Sequence, residues 1–411
     1  MRVKPRVAIV VQRCHESVVG GSESLAWQYA QLLRDAFEVE VLTSTAVDYL
    51  RWRNALPEGV ALRDGIPVRR FRVEIERERY WFELHRRLVH THAASEGLPA
   101  SERIPWRPAL QDEFVRFQGP YCSGLTAHLV ANHAQYDAVL FCTYLYPTTH
   151  FAVTAVPRAK RIFVPTLHDE PTAYLSTYAE RAHEFDHVVW LTRSEREVAR
   201  RLWDRDDGVV IGMAVDHTEA VRATRWRRPY FLYSGRIEQG KGAHDLISAF
   251  AAFRRRSGAR VDLLLTGAKS MHLPWWRRDV RFLGFVDEQR KLELMAGALA
   301  FVLPSAYESF SIVTMEAMAQ RTPVVLNGAC TVLAEHVTRS GGGVTYHGVE
   351  GLVAAMEAMT RLSVDERERY GAAGRDYVRA NYEPARVRAA LVEYVTEVVN
   401  RAATSTASTR P

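Results

Sequence analysis

Short runs rich in Val, Ile and Leu alternate with longer helical patterns along this 411-residue chain, and near residue 213 the alternation starts again. No other feature narrows the fold as far. Strands are expected at Val7–Gln12, Val39–Ser44, Ala138–Thr143, Arg161–Thr166 and His187–Thr192. Between them, residues such as Leu25, Tyr29, Leu32 and Leu33 recur on one helical face. A second set follows at Tyr230–Ser234, Val261–Thr266, Val280–Gly284, Ala300–Ser305 and Pro323–Asn327, with a helix over Asp245–Arg255. Strand–helix–strand repetition implies parallel sheets with right-handed crossovers. The expected class is α/β: two Rossmann-like, doubly wound parallel-sheet domains facing each other across a cleft lined by strand C-termini.

The expected divisions are an N-terminal domain over 1–212 and a second domain over 213–383. A helix over 384–400 and a disordered tail over 401–411 follow. Residues 72–120, rich in Arg, Glu and aromatics, break the rhythm and read as part of a helical insertion over about 72–135. The final helix carries Val387, Leu391, Tyr394 and Val398 on one stripe.

Composition excludes several classes. With 47% hydrophobic and 25% charged residues, the bulk of the chain is neither disordered nor coiled coil. Cys14, Cys122, Cys142 and Cys330 are too scattered for a disulfide framework or a zinc ribbon, which favours a reducing compartment. The apolar run after Met1 is too short for a signal peptide, and no run reaches the roughly 18 residues of a membrane span. The net charge is +6, and 49 of the 54 basic residues are Arg. That charge is spread along the chain without a basic-aromatic motif, so no nucleic-acid partner is expected.

Four motifs carry chemistry. Gly20-Gly21-Ser22-Glu23 follows the first strand and opens a helix, where paired glycines and free N–H groups favour an anion. Ser22 is the expected cap of that helix and Glu23 suits its first turn. The segment is not a G-x-G-x-x-G fingerprint, which counts against a nicotinamide dehydrogenase. Gly235-Arg236 and Gly240-Lys241-Gly242 follow the first strand of the second domain, where two cations could neutralise a diphosphate. Glu308 and Glu316 bracket the loop and helix after Ala300–Ser305, and a carboxylate can accept from two neighbouring hydroxyls. His168-Asp169-Glu170 ends a first-domain strand, where a His could orient a sugar or move a proton. Asp204-Arg-Asp206 reads as solvated surface, not a metal motif.

Together, these motifs resemble the family-four retaining glycosyltransferases of the GT-B fold, over most of residues 5–400. The resemblance implies that Glu308 contacts donor-sugar hydroxyls, Glu316 holds the ribose, and Arg236 and Lys241 bind the departing diphosphate. It implies that Gly20 and Gly21 approach the phosphates and that Gly235 belongs to the donor loop. His168 would contact sugar or acceptor. Phe310, Ser311 and Ile312 would offer backbone N–H groups, and Val286 would flank the base. The final helix would cross back to the first domain. Glu308, His168, Arg236 and Lys241 are thus the catalytic candidates. No cofactor or metal is implied beyond the nucleotide-diphosphate sugar itself. Ser311 and Arg321 depart from the family, which usually has Gly at both positions.

The function so implied is transfer of a hexose from a UDP- or GDP-sugar, with retention, to a hydroxyl of a glycan or lipid-linked acceptor in bacterial surface polysaccharide synthesis. The alternatives are a nucleotide-sugar 2-epimerase of the same fold and a non-catalytic nucleotide-sugar-binding partner. Tyr80, Trp81, Phe82, Leu84 and Leu88 form an aromatic-apolar stripe beside Arg77, Arg79, Arg86 and Arg87. The stripe reads first as packed on the core. Laid on an anionic membrane instead, it would place a cytoplasmic protein at the inner membrane face, in peripheral contact.

Overall fold

The computed structural model describes residues 4–18, 20–216, 221–272 and 277–408. Contacts divide the chain into two units, Met1–Met213 with Arg388–Pro411, and Ala214–Val387.

The first unit is built on eight strands: β1 (Arg6–Val10), β2 (Glu38–Ser44), β3 (Gly59–Arg63), β4 (Ile66–Phe71), β5 (Ala138–Cys142), β6 (Arg161–Val164), β7 (His187–Trp190) and β8 (Val209–Val210). Their order is β3-β4-β2-β1-β5-β6-β7-β8. All pairs are parallel except β3 with β4. The second unit has β9 (Tyr230–Ser234), β10 (Asp262–Thr266), β11 (Val280–Gly284), β12 (Ala300–Leu303), β13 (Val324–Asn327) and β14 (Gly343–Tyr346). Its order is β11-β10-β9-β12-β13-β14, parallel throughout. The central strands β1, β5, β9 and β12 are buried at every position but Arg6, as expected of strands covered on both faces.

Four strands were not anticipated: β3, β4, the two-residue β8 and β14. β3 and β4 form a hairpin turned by Asp64-Gly65, both at positive φ (48° and 80°), the geometry that selects Asp-Gly. That dipeptide is a turn signal in the sequence itself. β14 was hidden by Gly341-Gly342-Gly343, which reads as loop. A Cβ on Gly343 would lie 2.0 Å from the Val324 carbonyl, so the absent side chain is what lets β14 pair with β13.

In each sheet the strand order reverses at one place, between β1 and β5 and between β9 and β12. Chain leaving the two strands beside such a reversal turns away on opposite faces, which opens a crevice at their C-terminal ends. The loops after β1, β9 and β12 carry three of the four motifs.

The insertion is helical at Arg79–Ala94, Pro108–Gln118 and Ser123–Asn132. Trp81, Leu84, Leu88, Phe114, Leu125 and Leu129 join the core cluster of the first unit. Each such side chain contributes about 1.5–3 kcal/mol when fully buried. Trp81 stacks on His85 at 4.9 Å and lies under the Arg77 guanidinium at 4.1 Å, while Tyr80 and Phe82 remain 41% and 42% exposed. The stripe of Trp81, Leu84 and Leu88 therefore packs on its own domain.

The last helix runs from Pro384 to Ser408, and from Arg388 onward it belongs to the first unit. Leu391, Val395, Val398 and Ala402 are buried, and the Tyr394 hydroxyl meets both backbone groups of Val188 at 3.2 Å. The disordered tail expected from 401 is corrected by this helix, with residues 409–411 lying outside the described residues. Ala402 packs, Arg401 pairs with Glu397, and the Thr404 hydroxyl donates to the Asn400 and Arg401 carbonyls. A Ser/Thr/Ala composition conceals such a continuation, because Ala favours a helix and Thr hydroxyls can bond back to it.

Among the described residues, no helix is long and apolar enough to cross a membrane.

Candidate active site

The second unit gathers most of the site around the reversal between β9 and β12. Beyond β9, Gly235 has φ 153° and Gly267, beyond β10, has φ 121°. A Cβ on Gly267 would fall 2.1 Å from the Gly235 carbonyl, so the two loops touch backbone to backbone. The Ile237 N–H donates to Ala268 at 2.8 Å and stabilises this contact. Arg236 is exposed at the rim, 3.2 Å from Glu238. Lys241 ends a short turn, Gln239–Lys241, and Gly242 caps the next helix, Ala243–Ser257, with φ 72°.

Lys241 spans the reversal. Its ammonium lies 2.8 Å from Glu308 Oε1, 3.3 Å from the Tyr307 carbonyl and 3.4 Å from Ser305 Oγ. An ammonium has three N–H donors, so these acceptors occupy all of them. An arriving phosphate would exchange for one of the acceptors. Both side chains are mostly shielded, at 23% and 17% exposure, so this pair is worth more than an open surface ion pair.

The loop after β12 then enters the helix Ile312–Ala319. Ser311 is its N-terminal cap in left-handed backbone, with φ 65°. Its hydroxyl engages Thr314 Oγ1 at 2.8 Å and does not cap the first N–H groups. Arg321, just past the helix, also has positive φ, at 59°. The Thr322 N–H reaches back to the Ala317 carbonyl at 3.0 Å and closes the helix end. Both departures from the family pattern thus sit where glycine is the unstrained residue. The turn at Arg321 forms nonetheless. Phe310 is buried against Tyr382, with ring centroids 5.0 Å apart, and its carbonyl lies 2.8 Å from His336 Nε2.

Glu316 lies one turn further on, 16% exposed. Burial raises its carboxyl to about 7, against the pull of Lys291, whose Nζ is 2.7 Å from Oε2. Lys291 projects from the helix Glu288–Ala296 and also pairs with Glu288 at 2.9 Å. The sequence reading missed Lys291. A signal existed: of only five Lys in an Arg-dominated chain, two pair with the two glutamates of the motif. Val286 is half-buried just before that helix, beside Phe285, which is 70% exposed.

The first unit holds Gly20, Gly21 and His168. The cap of the helix Gly21–Leu33 is Gly20, not Ser22. Ser22 Oγ accepts from Gln12 Nε2 at 2.8 Å and donates to Glu23 at 3.0 Å, so it is not available to the helix end. A Cβ on Gly20 would lie 2.2 Å from Glu23 Oε2, whereas Gly21 faces open space. Glu23 is buried and paired with Arg13 at 2.5 Å.

His168 follows β6, with Nδ1 3.5 Å from Glu170 Oε1. The Tyr144 hydroxyl, from the loop after β5, donates to the same oxygen at 2.8 Å. Burial raises the Glu170 carboxyl, but the contacts from His168 and Tyr144 outweigh it and hold the group below its ordinary range. Beneath this loop, Glu195 is fully buried. It accepts from the Leu167 N–H at 2.6 Å and the Leu191 N–H at 2.5 Å, and burial still raises it to about 8. Arg205, inside Asp204-Arg-Asp206, is buried and donates to the Ala182 and Phe185 carbonyls, which gives that segment a structural role. All four cysteines are buried and unpaired with one another. Among the described residues, no group of three or more His, Cys, Asp or Glu side chains is arranged to hold a metal ion.

Comparison with known proteins shows what the chain is similar to. The family of glycosyl transferases group 1 matches residues 217–377. Glycogen synthase of Mycobacterium tuberculosis is 35% identical over 160 residues, 34% of this chain and 38% of that protein. O-antigen chain mannosyltransferase B of Escherichia coli is 32% identical over 126 residues, 27% of this chain and 32% of that protein. The match thus spans well under half the length of these relatives. Among solved structures, sucrose-phosphate synthase from Thermosynechococcus elongatus superposes with a TM-score of 0.66 at 16% identity, covering 96% of this chain and 99% of that one. Anabaena HepE in complex with UDP and glucose gives 0.66 at 15% identity, covering 96% and 100%. Likeness at such identity speaks for the fold. Residues 217–377 therefore match the glycosyl transferases group 1 family, within a chain whose two parallel-sheet domains have the GT-B fold.

Proposed function

We propose that the chain is a retaining glycosyltransferase that moves a hexose from a UDP- or GDP-sugar to a hydroxyl of a glycan or glycolipid, in bacterial surface polysaccharide assembly and without a metal ion. The observation that carries this reading is the Lys241–Glu308 contact of 2.8 Å across the β9/β12 reversal. It sets a cation for phosphate beside an acceptor for sugar hydroxyls. HepE, which shares the fold, is described with UDP and glucose, and the mannosyltransferase among the relatives supports a hexose.

In this reading Glu316 accepts from the ribose hydroxyls and Glu308 from the sugar. Arg236 and Lys241 face the diphosphate. As the bond from the anomeric carbon to the phosphate oxygen breaks, negative charge gathers on that oxygen beside the ammonium. A preorganised cation there stabilises the transition state more than the ground state. The acceptor oxygen bonds the anomeric carbon on the same face, and its proton passes to the departing phosphate. His168, backed by Glu170 and Tyr144, orients a sugar hydroxyl.

The test is a thermal-shift screen of UDP, GDP, ADP and their hexose conjugates with chelator present, followed by NMR of the anomeric proton in any product. Ligand that binds only the folded state raises the midpoint. A shift with one nucleotide, lost in Lys241→Ala, together with a retained anomer in product, supports the reading. No shift with any of them refutes it.

A further inference from the structure

The role of Glu316 requires a particular charge state. A ribose presents two vicinal hydroxyls, and an ionised carboxylate accepts from both with two charged oxygens, whereas a neutral carboxyl spends one oxygen as a donor and accepts more weakly. Glu316 is 16% exposed, and burial favours the neutral form. The charged groups that act on it are Lys291 and Glu288, both from the helix Glu288–Ala296. Glu288 works against ionisation. Lys291, at 2.7 Å and itself 16% exposed, works for it.

Lysine suits this position for a geometric reason. Its ammonium is compact and touches two carboxylates at once, 2.7 Å from Glu316 and 2.9 Å from Glu288. The contact also fixes which oxygen of Glu316 points toward the helix Glu288–Ala296, and so how the other oxygen is presented.

We propose that Lys291 is a positioning residue of the nucleotide site: it favours the ionised form of Glu316, orients it as an acceptor for both ribose hydroxyls, and thereby makes the site selective for ribonucleoside over deoxyribonucleoside diphosphates. The inference rests on the nucleotide-sugar reading above. It adds a residue, and a discrimination, that the family motif does not contain.

The experiment titrates the intact chain by calorimetry with the tightest-binding of UDP, GDP and ADP, and with its 2′,3′-dideoxy counterpart. The wild type should prefer the ribonucleotide by about tenfold or more, the scale of hydrogen bonds to a charged group. In Lys291→Met that preference should collapse, with ribonucleotide binding weakened about tenfold and dideoxy binding nearly unchanged. Lys291→Gln keeps a donor without the charge and should fall between, which keeps the test open if the methionine variant does not fold. Glu288→Gln should retain the preference. Equal loss of both ligands in the Lys291 variants, or no loss, overturns the role of Lys291 and leaves the nucleotide site standing. Failure of the wild type to bind any nucleoside diphosphate overturns the nucleotide reading and this inference with it.

Discussion

The helix Ala243–Ser257 offers a controlled test of how the cation loop is held. Its two ends carry glycines in nearly the same left-handed backbone, Gly242 at φ 72° and Gly258 at φ 65°. Their surroundings differ. A Cβ on Gly258 meets nothing within 4 Å, while one on Gly242 would lie 2.7 Å from the Pro304 carbonyl and 2.9 Å from Pro304 Cβ. Gly258→Ala should therefore show the backbone cost alone, about 1 kcal/mol after the gain from a stiffer unfolded chain. Gly242→Ala adds an overlap with backbone. Relieving it moves the Lys241 turn away from the loop after β12, at a further cost of about 1–3 kcal/mol. The expected losses are then about 1 kcal/mol and about 2–4 kcal/mol. Urea denaturation of the two variants side by side measures the difference. A second readout follows from the position of the contact. Shifting the turn separates Lys241 from Ser305 and Glu308, so Gly242→Ala should weaken nucleoside diphosphate binding while Gly258→Ala leaves it unchanged. Equal destabilisation by the two substitutions, or unchanged binding in Gly242→Ala, would refute the claim that Gly242 exists for the approach to Pro304.

Other expectations concern charge and backbone. Because burial raises the Glu316 carboxyl to about 7, ribonucleotide affinity should fall as pH drops from 8 to 6, and Glu316→Gln should flatten that profile in calorimetry. Glu308→Gln should lower transfer by about 100-fold or more, with far less effect on nucleotide binding, because its proposed contact is to the sugar; equal losses in kcat and nucleotide affinity would argue otherwise. Arg321→Gly should raise stability by about 0.5–1 kcal/mol by removing a left-handed non-glycine residue, less the small worth of the exposed pair with Glu368. His150 and His336 are buried, which lowers both rings to about 4. Unfolded, each binds its proton near pH 6.5, so the unfolded chain takes up more protons and stability falls as pH drops from about 6.5 to about 4. Thermal midpoints across that window check this, and Gln at both positions should reduce the slope.

Much of the architecture was legible because buried parallel strands must be continuous apolar runs and the crossovers must be amphipathic. Both sheets, the restart near residue 213 and the loops that carry Gly235, Lys241, Glu308 and Glu316 follow from that alternation. The hairpin β3–β4 was equally written in the sequence, at Asp64-Gly65, and was passed over. The strand β14 was not, because three glycines have the composition of a loop until a neighbouring strand is near enough to need them. Local rules also misplaced a cap. Ser22 is the better capping residue by propensity, yet Gln12 and Glu23 engage it and Gly20 holds the helix start.

The sequence by itself determined most of the elements and the motif residues, because these depend on residue type and on spacing within a few positions. Tertiary structure alone decided which charges meet. Lys241 reaches Glu308 across 67 residues, and Lys291 meets Glu316 between helices that are adjacent only once both are packed. Such pairings depend on strand order and on the angle at which helices pack, and no local pattern encodes either. The same holds for charge state. Glu316 and Glu195 are ordinary carboxylates in the sequence, and only burial, with the partners that come with it, moves them to about 7 and about 8.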